Sequence, residues 1–119
     1  MADVAYLVQD LLFTSKLREV ARQLGVTLAA TRDPQALLAA AREAKLVILD
    51  LRLPKALEAL DLLAGDPSTR DLPSVGFVDH EKGEVMEAAS TKGCKKVMAK
   101  GQFSNQLPSI FSSLSTKVG

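Results

Sequence analysis

Short apolar runs alternate along this chain with segments whose apolar residues recur at helical spacing. The run at residues 46–49 is apolar throughout and ends at Asp50, which is typical of a strand buried on both faces of a parallel sheet. In the stretch that follows the apolar run at residues 4–8, apolar residues three and four apart line one face of a predicted helix. These residues are Leu17, Val20, Ala21 and Leu24.

The same alternation predicts five strand–helix units. The expected strands span residues 4–8, 26–31, 46–51, 75–78 and 95–99. Gly25 is expected to end the first helix, Asp33-Pro34 to begin the second, and Ser104 to cap the last, with Pro108 early in it. Short connections between such units predict right-handed crossovers and a parallel sheet with helices on both faces.

Composition narrows the class of protein. A chain of 119 residues that is 47% hydrophobic predicts one domain over residues 1–119 with its own core. The net charge of +1 argues against nucleic acid as a direct partner. Apolar runs far shorter than the roughly 18 residues of a membrane span argue against a membrane protein. A single cysteine excludes an internal disulfide framework, and a cytoplasmic location is expected.

Charged side chains follow three of the predicted strands. In parallel sheets covered by helices, binding sites lie at the carboxyl ends of the strands, where Asp10, Asp50 and Lys100 are expected. Two facing carboxylates repel, and Mg²⁺ prefers oxygen ligands, so Asp10, Asp50 and the backbone carbonyl of Arg52 form a candidate metal site. The alternative is that these groups are simply solvated or paired with one another.

The residues after the third strand resemble a known family. Asp50-Leu51-Arg52-Leu53-Pro54 is similar to the Asp-x-x-x-Pro motif of the receiver domains of two-component response regulators, of which the chemotaxis regulator is a small example. Leu72-Pro73 before strand four, and Lys100 near Phe103, resemble further segments of that family. The resemblance covers about residues 4–115.

This resemblance implies a fold and a set of roles. The fold is expected to be a flavodoxin-like (βα)5 three-layer sandwich with sheet order 2-1-3-4-5, with helices one and five on one face and helices two, three and four on the other. Asp50 would accept a phosphoryl group, Asp10 would help to bind Mg²⁺, and Lys100 would contact the phosphoryl group. The implied partners are a histidine kinase or an output protein.

Three departures from the family pattern shape the functional prediction. Gln9 stands where receivers carry the first of two acids, Val78 where they carry Thr or Ser, and Val97 where they carry an aromatic residue. We therefore predict weak Mg²⁺ binding and a stand-alone, phosphorylation-independent pseudo-receiver that acts through protein–protein contact. A working phospho-acceptor at Asp50 is the first alternative.

Other functional classes receive less support. Flavodoxin-like sheets also bind flavin mononucleotide, but the loop at residues 10–15 has no glycine for a phosphate. An enzyme is not expected, because no nucleophile–base pair can be assembled. His80 is read as an exposed loop residue and Cys94 as a small buried one.

Lysines accumulate around the fourth helix and the fifth strand. We predict that Lys92, Lys95 and Lys96 form the partner surface and favour an acidic protein partner. With no second domain attached, output is expected to come from that partner. The alternative is a solvated positive face without a partner.

Overall fold

A computed structural model of the chain describes residues 2–79 and 83–115. Its strands are β1 (Val4–Leu7), β2 (Leu28–Ala30), β3 (Leu46–Asp50), β4 (Ser74–Val78) and β5 (Lys96–Ala99). Its helices are α1 (Leu11–Leu24), α2 (Pro34–Ala41), α3 (Pro54–Ala64), α4 (Gly83–Thr91) and α5 (Lys100–Ser115). The predicted alternation of five strands and five helices is confirmed.

The five strands form one parallel sheet in the order β2-β1-β3-β4-β5, as expected. β1, β3 and β4 are buried along their whole length, which explains why their sequences are mostly apolar and do not alternate with polar residues. β2 and β5 are the edge strands and are partly exposed. The architecture is therefore the predicted flavodoxin-like α/β sandwich.

The sheet separates two apolar layers. One contains the buried faces of α1 and α5, and the other those of α2, α3 and α4, so the predicted distribution of the helices is confirmed. The chain has four phenylalanines and one tyrosine, and all five lie in the α1/α5 layer. They are Tyr6, Phe13, Phe77, Phe103 and Phe111. The opposite layer is packed from aliphatic side chains, many of them alanine, and from Cys94.

Local signals explain where several helices begin and end. The Asp33 side chain accepts a hydrogen bond of 2.8 Å from the backbone N–H of Ala36, and Pro34 begins α2. Gly25 ends α1 with φ of 70°, a left-handed conformation that glycine adopts without a Cβ penalty. Both signals were correctly interpreted from the sequence.

The last helix corrects one prediction. α5 begins at Lys100, directly after β5, and Ser104 lies inside it rather than at its cap. Pro108 is consequently in the helix interior, where it removes one backbone donor. α2 ends at Ala41, and after it the backbone N–H groups of Glu43 and Ala44 bond to carbonyls only three residues back, which tightens the last turn.

Across residues 2–79 and 83–115, none of the helices combines the length and the apolar character needed to cross a membrane.

Candidate functional site

Charged residues converge at the carboxyl edge of the sheet. Asp50 is the last residue of β3 and its side chain is fully buried. Asp10 follows β1 and caps α1, while Lys100 follows β5 and begins α5. The parallel order places β1 beside β3, so the two carboxylates meet at one edge, as predicted for this class of sheet.

Asp50 is held by the residue two positions further along the chain. Nε and Nη2 of Arg52 lie 3.2 Å and 3.1 Å from Oδ1 and Oδ2 of Asp50, and the Arg52 backbone N–H also donates to Oδ1 at 3.1 Å. The hydrogen bonds to Asp50 are the largest cause of a raised pKa at Arg52. The two-pronged geometry satisfies both oxygens of a carboxylate that has no access to water.

Asp10 accepts three further donors. Its Oδ1 accepts the Phe13 backbone N–H at 3.1 Å, which caps α1. Its Oδ2 accepts Lys100 Nζ at 2.9 Å and Arg52 Nη2 at 3.5 Å. The hydrogen bond from Lys100, followed by the one from the Phe13 N–H, lowers the pKa of Asp10, so this carboxyl group is ionised at neutral pH.

An aromatic cluster supports the site from below. Lys100 Nζ lies 5.2 Å from the centroid of the Phe13 ring, a distance at which a cation is attracted to the ring face. The Phe13 ring is 4.6 Å from Phe77, and Phe77 stacks on Phe103 at 4.8 Å. The cluster joins α1, β4 and α5, so the position of Lys100 depends on packing in that layer.

The Arg52 side chain is the functional feature that was missed from the sequence. Only its backbone carbonyl was considered there, as a metal ligand, whereas its guanidinium contacts both Asp10 and Asp50. Within the part of the chain that the structure describes, Lys100 pairs with Asp10 and makes no ion pair with Asp50. An arginine two positions after a strand-ending aspartate was the available signal.

The residues around Asp10 and Asp50 bear on whether this site can switch between two conformations. Val78 is the last residue of β4 and is buried, and it offers no hydroxyl to this edge. Val97 is half-buried and packs against the aliphatic layer. Asp79 is exposed and acts on Arg52 through its charge, and Gln9 is exposed as well.

The carboxylate oxygens at this edge, as they are arranged, do not fit a divalent metal. Mg²⁺ requires near-octahedral oxygen coordination and is usually held by one or two carboxylates together with water. Here each of the four oxygens of Asp10 and Asp50 already accepts a hydrogen bond from Phe13, Lys100 or Arg52. Because the Arg52 guanidinium contacts both carboxylates, a metal ion that bridges Asp10 and Asp50 has to displace it.

The predicted partner lysines lie at the other end of β5. Lys92 Nζ pairs with Asp61 at 3.0 Å, and Lys95 Nζ donates to the Arg70 carbonyl at 3.2 Å. Lys96 is exposed at the first position of β5. This surface therefore lies near the amino end of β5, whereas Asp50 lies at the carboxyl end of β3.

The cysteine and histidine predictions have different outcomes. Cys94 is buried, and burial raises the pKa of its thiol, so the expectation of a small buried residue is confirmed. His80 lies outside the described residues.

Comparison with solved structures identifies the architecture. A response regulator from Hahella chejuensis superposes with a TM-score of 0.80 at 20% identity, covering 100% of this chain and 98% of that one. The chain has the receiver-domain fold. The chemotaxis response regulator CheY4 of Vibrio cholerae also matches, with a TM-score of 0.77 at 15% identity, covering 96% of this chain and 98% of that one.

A further receiver domain is described with a metal. It belongs to a sensor histidine kinase of Pseudomonas aeruginosa, has magnesium coordinated in its active-site cleft, and matches with a TM-score of 0.78 at 15% identity over 96% of this chain and 97% of that one. Neither protein-family models nor curated protein sequences match this chain. The receiver fold thus rests on structure, at identities that show the fold alone.

Proposed function

We propose that the chain is a receiver-like signal-transduction module of the two-component type that acts through protein–protein contact and switches without phosphorylation. The observation that carries the proposal is the hydrogen-bond network at the carboxyl edge of the sheet, which joins Asp10, Asp50, Arg52 and Lys100. Both oxygens of Asp50 accept hydrogen bonds from Arg52, whereas phosphoryl transfer needs a carboxylate oxygen that is free to attack phosphorus.

Val78 supports the same proposal. A phosphoryl group on Asp50 gains stability from a hydroxyl donor at the end of β4, and a valine there supplies none. A buried acceptor left without its donor costs about 1–3 kcal/mol. A modification can shift a conformational equilibrium only by its differential interaction with the two states. We therefore expect a phosphoryl group at Asp50 to change the populations of the two states little.

The proposed partner is a histidine kinase or an output protein with an acidic contact surface. Lys92, Lys95 and Lys96 supply the positive charge, and complementary charge mainly sets orientation and association rate. Two of these lysines already contact Asp61 and the Arg70 carbonyl. Lys96 is therefore the lysine on which we expect recognition to depend most.

A working phospho-acceptor is the second candidate, favoured by the burial of Asp50 beside Asp10 at the carboxyl edge. In this reaction an Asp50 oxygen forms a bond to phosphorus, and the bond from phosphorus to the donor's leaving group breaks. The leaving group departs with that electron pair. Arg52 has to release Asp50 first.

Intact-mass spectrometry after incubation with acetyl phosphate and Mg²⁺ separates the two candidates. The variants are wild type, Asp50→Asn and Val78→Thr, with a receiver domain that carries both acids as the positive control. We expect no phosphorylated species in wild type under conditions that modify the positive control. A phosphoryl group on wild type but not on Asp50→Asn would contradict the proposal.

A binding measurement tests the contact half of the proposal. Candidate kinases and output proteins are titrated against wild type, Asp50→Asn and Lys96→Glu, with Lys16→Glu on α1 as the matched charge reversal. We expect Asp50→Asn and Lys16→Glu to bind like wild type, and Lys96→Glu to bind more weakly. Binding that is lost in Asp50→Asn and retained in Lys96→Glu would refute it.

A further inference from the structure

The guanidinium of Arg52 occupies the place between two carboxylates. Its Nη2 lies 3.1 Å from Asp50 Oδ2 and 3.5 Å from Asp10 Oδ2, so a single nitrogen contacts both acids. We propose that Arg52 is a tethered cation that takes the place of a divalent metal between Asp10 and Asp50, and that removing its guanidinium creates a metal site. This inference rests on the network behind the proposed function, but its test reads metal binding rather than phosphorylation.

Burial explains why Asp50 needs a counterion. The Asp50 side chain has no exposed surface, and a buried charge is tolerated only when it is paired and hydrogen-bonded. Arginine fits because its planar fork meets both oxygens of one carboxylate, which the point charge of lysine cannot do. Arg52 supplies this fork, and its own backbone N–H supplies a third donor to Asp50.

Charge at the edge argues against a metal while Arg52 is in place. The two carboxylates are matched by two cations in direct contact, Arg52 and Lys100. Asp79 contributes only through its charge at longer range. Since the guanidinium is covalently attached, its effective concentration at the carboxylates is high. Mg²⁺ must both displace it and lose hydration water.

Exposure of Arg52 makes the inference testable by substitution. Its side chain is 39% exposed, whereas that of Asp50 is fully buried. Methionine keeps an unbranched apolar stem and removes the charged fork. Arg52→Met therefore leaves Asp10 and Asp50 facing each other with one fewer cation, and a divalent ion becomes the group that stabilises them.

Thermal unfolding and amide chemical shifts are measured with MgCl2 and MnCl2 for wild type, Arg52→Met, Arg52→Lys and the double variant Asp50→Asn/Arg52→Met. Arg18→Met on the exposed face of α1 is the matched control, and NaCl at equal ionic strength corrects for screening. A ligand that binds only the folded state raises its stability. We expect a metal-dependent rise in Tm for Arg52→Met, with affinity at least about tenfold tighter than wild type.

The controls make each result decisive. Wild type, Arg18→Met and the double variant should show no specific rise, and Arg52→Lys an intermediate one. A wild type that binds Mg²⁺ as tightly as Arg52→Met overturns the inference. If Arg52→Met does not fold, the wild-type amides of Asp10 and Asp50 are observed with micromolar Mn²⁺. Strong broadening of these amide signals overturns the inference. No broadening in wild type, together with metal binding by Arg52→Lys, supports the inference. Phosphorylation of Asp50 in wild type would refute the proposed function but not this inference.

Discussion

Gly76 lies where β4 packs against the segment that carries the site, and replacing it by alanine gives a quantitative test. A Cβ at Gly76 would lie 2.8 Å, 2.9 Å and 3.0 Å from Cδ1, Cγ and Cδ2 of Leu51. Leu51 is buried and joins Asp50 to Arg52 along the chain. A displacement of Leu51 therefore moves both members of the Asp50–Arg52 ion pair.

The cost follows from these distances. Carbon atoms pack best at roughly 3.5–4.0 Å, so Leu51 has to move by roughly 0.7 Å or more, and the short approach to Cγ means that rotating its terminal methyl groups is not enough. Overpacking of this kind costs about 1–3 kcal/mol, against a gain of roughly 0.5–1 kcal/mol for replacing a strand glycine. The two ranges leave a net loss of up to about 2.5 kcal/mol for Gly76→Ala, and the short approach to Cγ favours the upper part of that range.

Urea unfolding of wild type, Gly76→Ala, Leu51→Ala and the double variant measures this cost and its origin. The two losses should not add, because alanine at position 51 removes the atoms that clash. Gly101→Ala is the control, since nothing lies within 4 Å of a Cβ there, and its stability should be equal or higher. A Gly76→Ala protein as stable as wild type, with unchanged Asp50 and Arg52 amide shifts, would refute the reasoning.

Three further predictions concern polar groups away from the site. Hydrogen bonds from the Ser68 side chain and backbone, and then from Arg42, lower the pKa of Asp66 from 3.8 to about 2. The stability that this carboxylate contributes is complete above pH 3.8 and is lost as the pH falls towards 2, so Asp66→Asn should flatten the acid side of a stability–pH profile measured by urea unfolding. Thr69→Val should cost about 1–3 kcal/mol in the same assay, because the buried Thr69 hydroxyl donates to the Leu63 carbonyl, and a Thr69→Ser control should lose less. Cys94 should react with iodoacetamide only as the protein unfolds, since burial raises the pKa of its thiol; rapid alkylation of the folded protein would contradict this.

Features that depend on neighbouring residues were predictable from the sequence. The apolar run at residues 46–49 predicted a strand buried on both faces, and β3 is the central strand. Asp33-Pro34 predicted the start of α2, because the cap and the proline both act within one turn. The convergence of Asp10 and Asp50 followed from the parallel order of the sheet.

Features that depend on side-chain direction were not predictable. The guanidinium of Arg52 reaches back to Asp50 because the chain turns tightly after β3, with the Leu53 N–H bonded to the Asp50 carbonyl. Lys100 had two carboxylates within plausible reach, and its pairing with Asp10 accompanies its position over the Phe13 ring. Spacing along the chain carries no information on either choice, since tertiary packing decides both.

The one-sided distribution of aromatic rings determines what spectroscopy can detect in this protein. Tyrosine fluorescence and near-ultraviolet circular dichroism arise entirely from the α1/α5 layer, because all five rings lie there. The aliphatic layer under α2, α3 and α4 has no intrinsic chromophore. The tyrosine signal therefore reports on one layer, whereas the far-ultraviolet amide signal reports on the backbone of the whole molecule. The two unfolding curves coincide only if both layers melt in one cooperative transition.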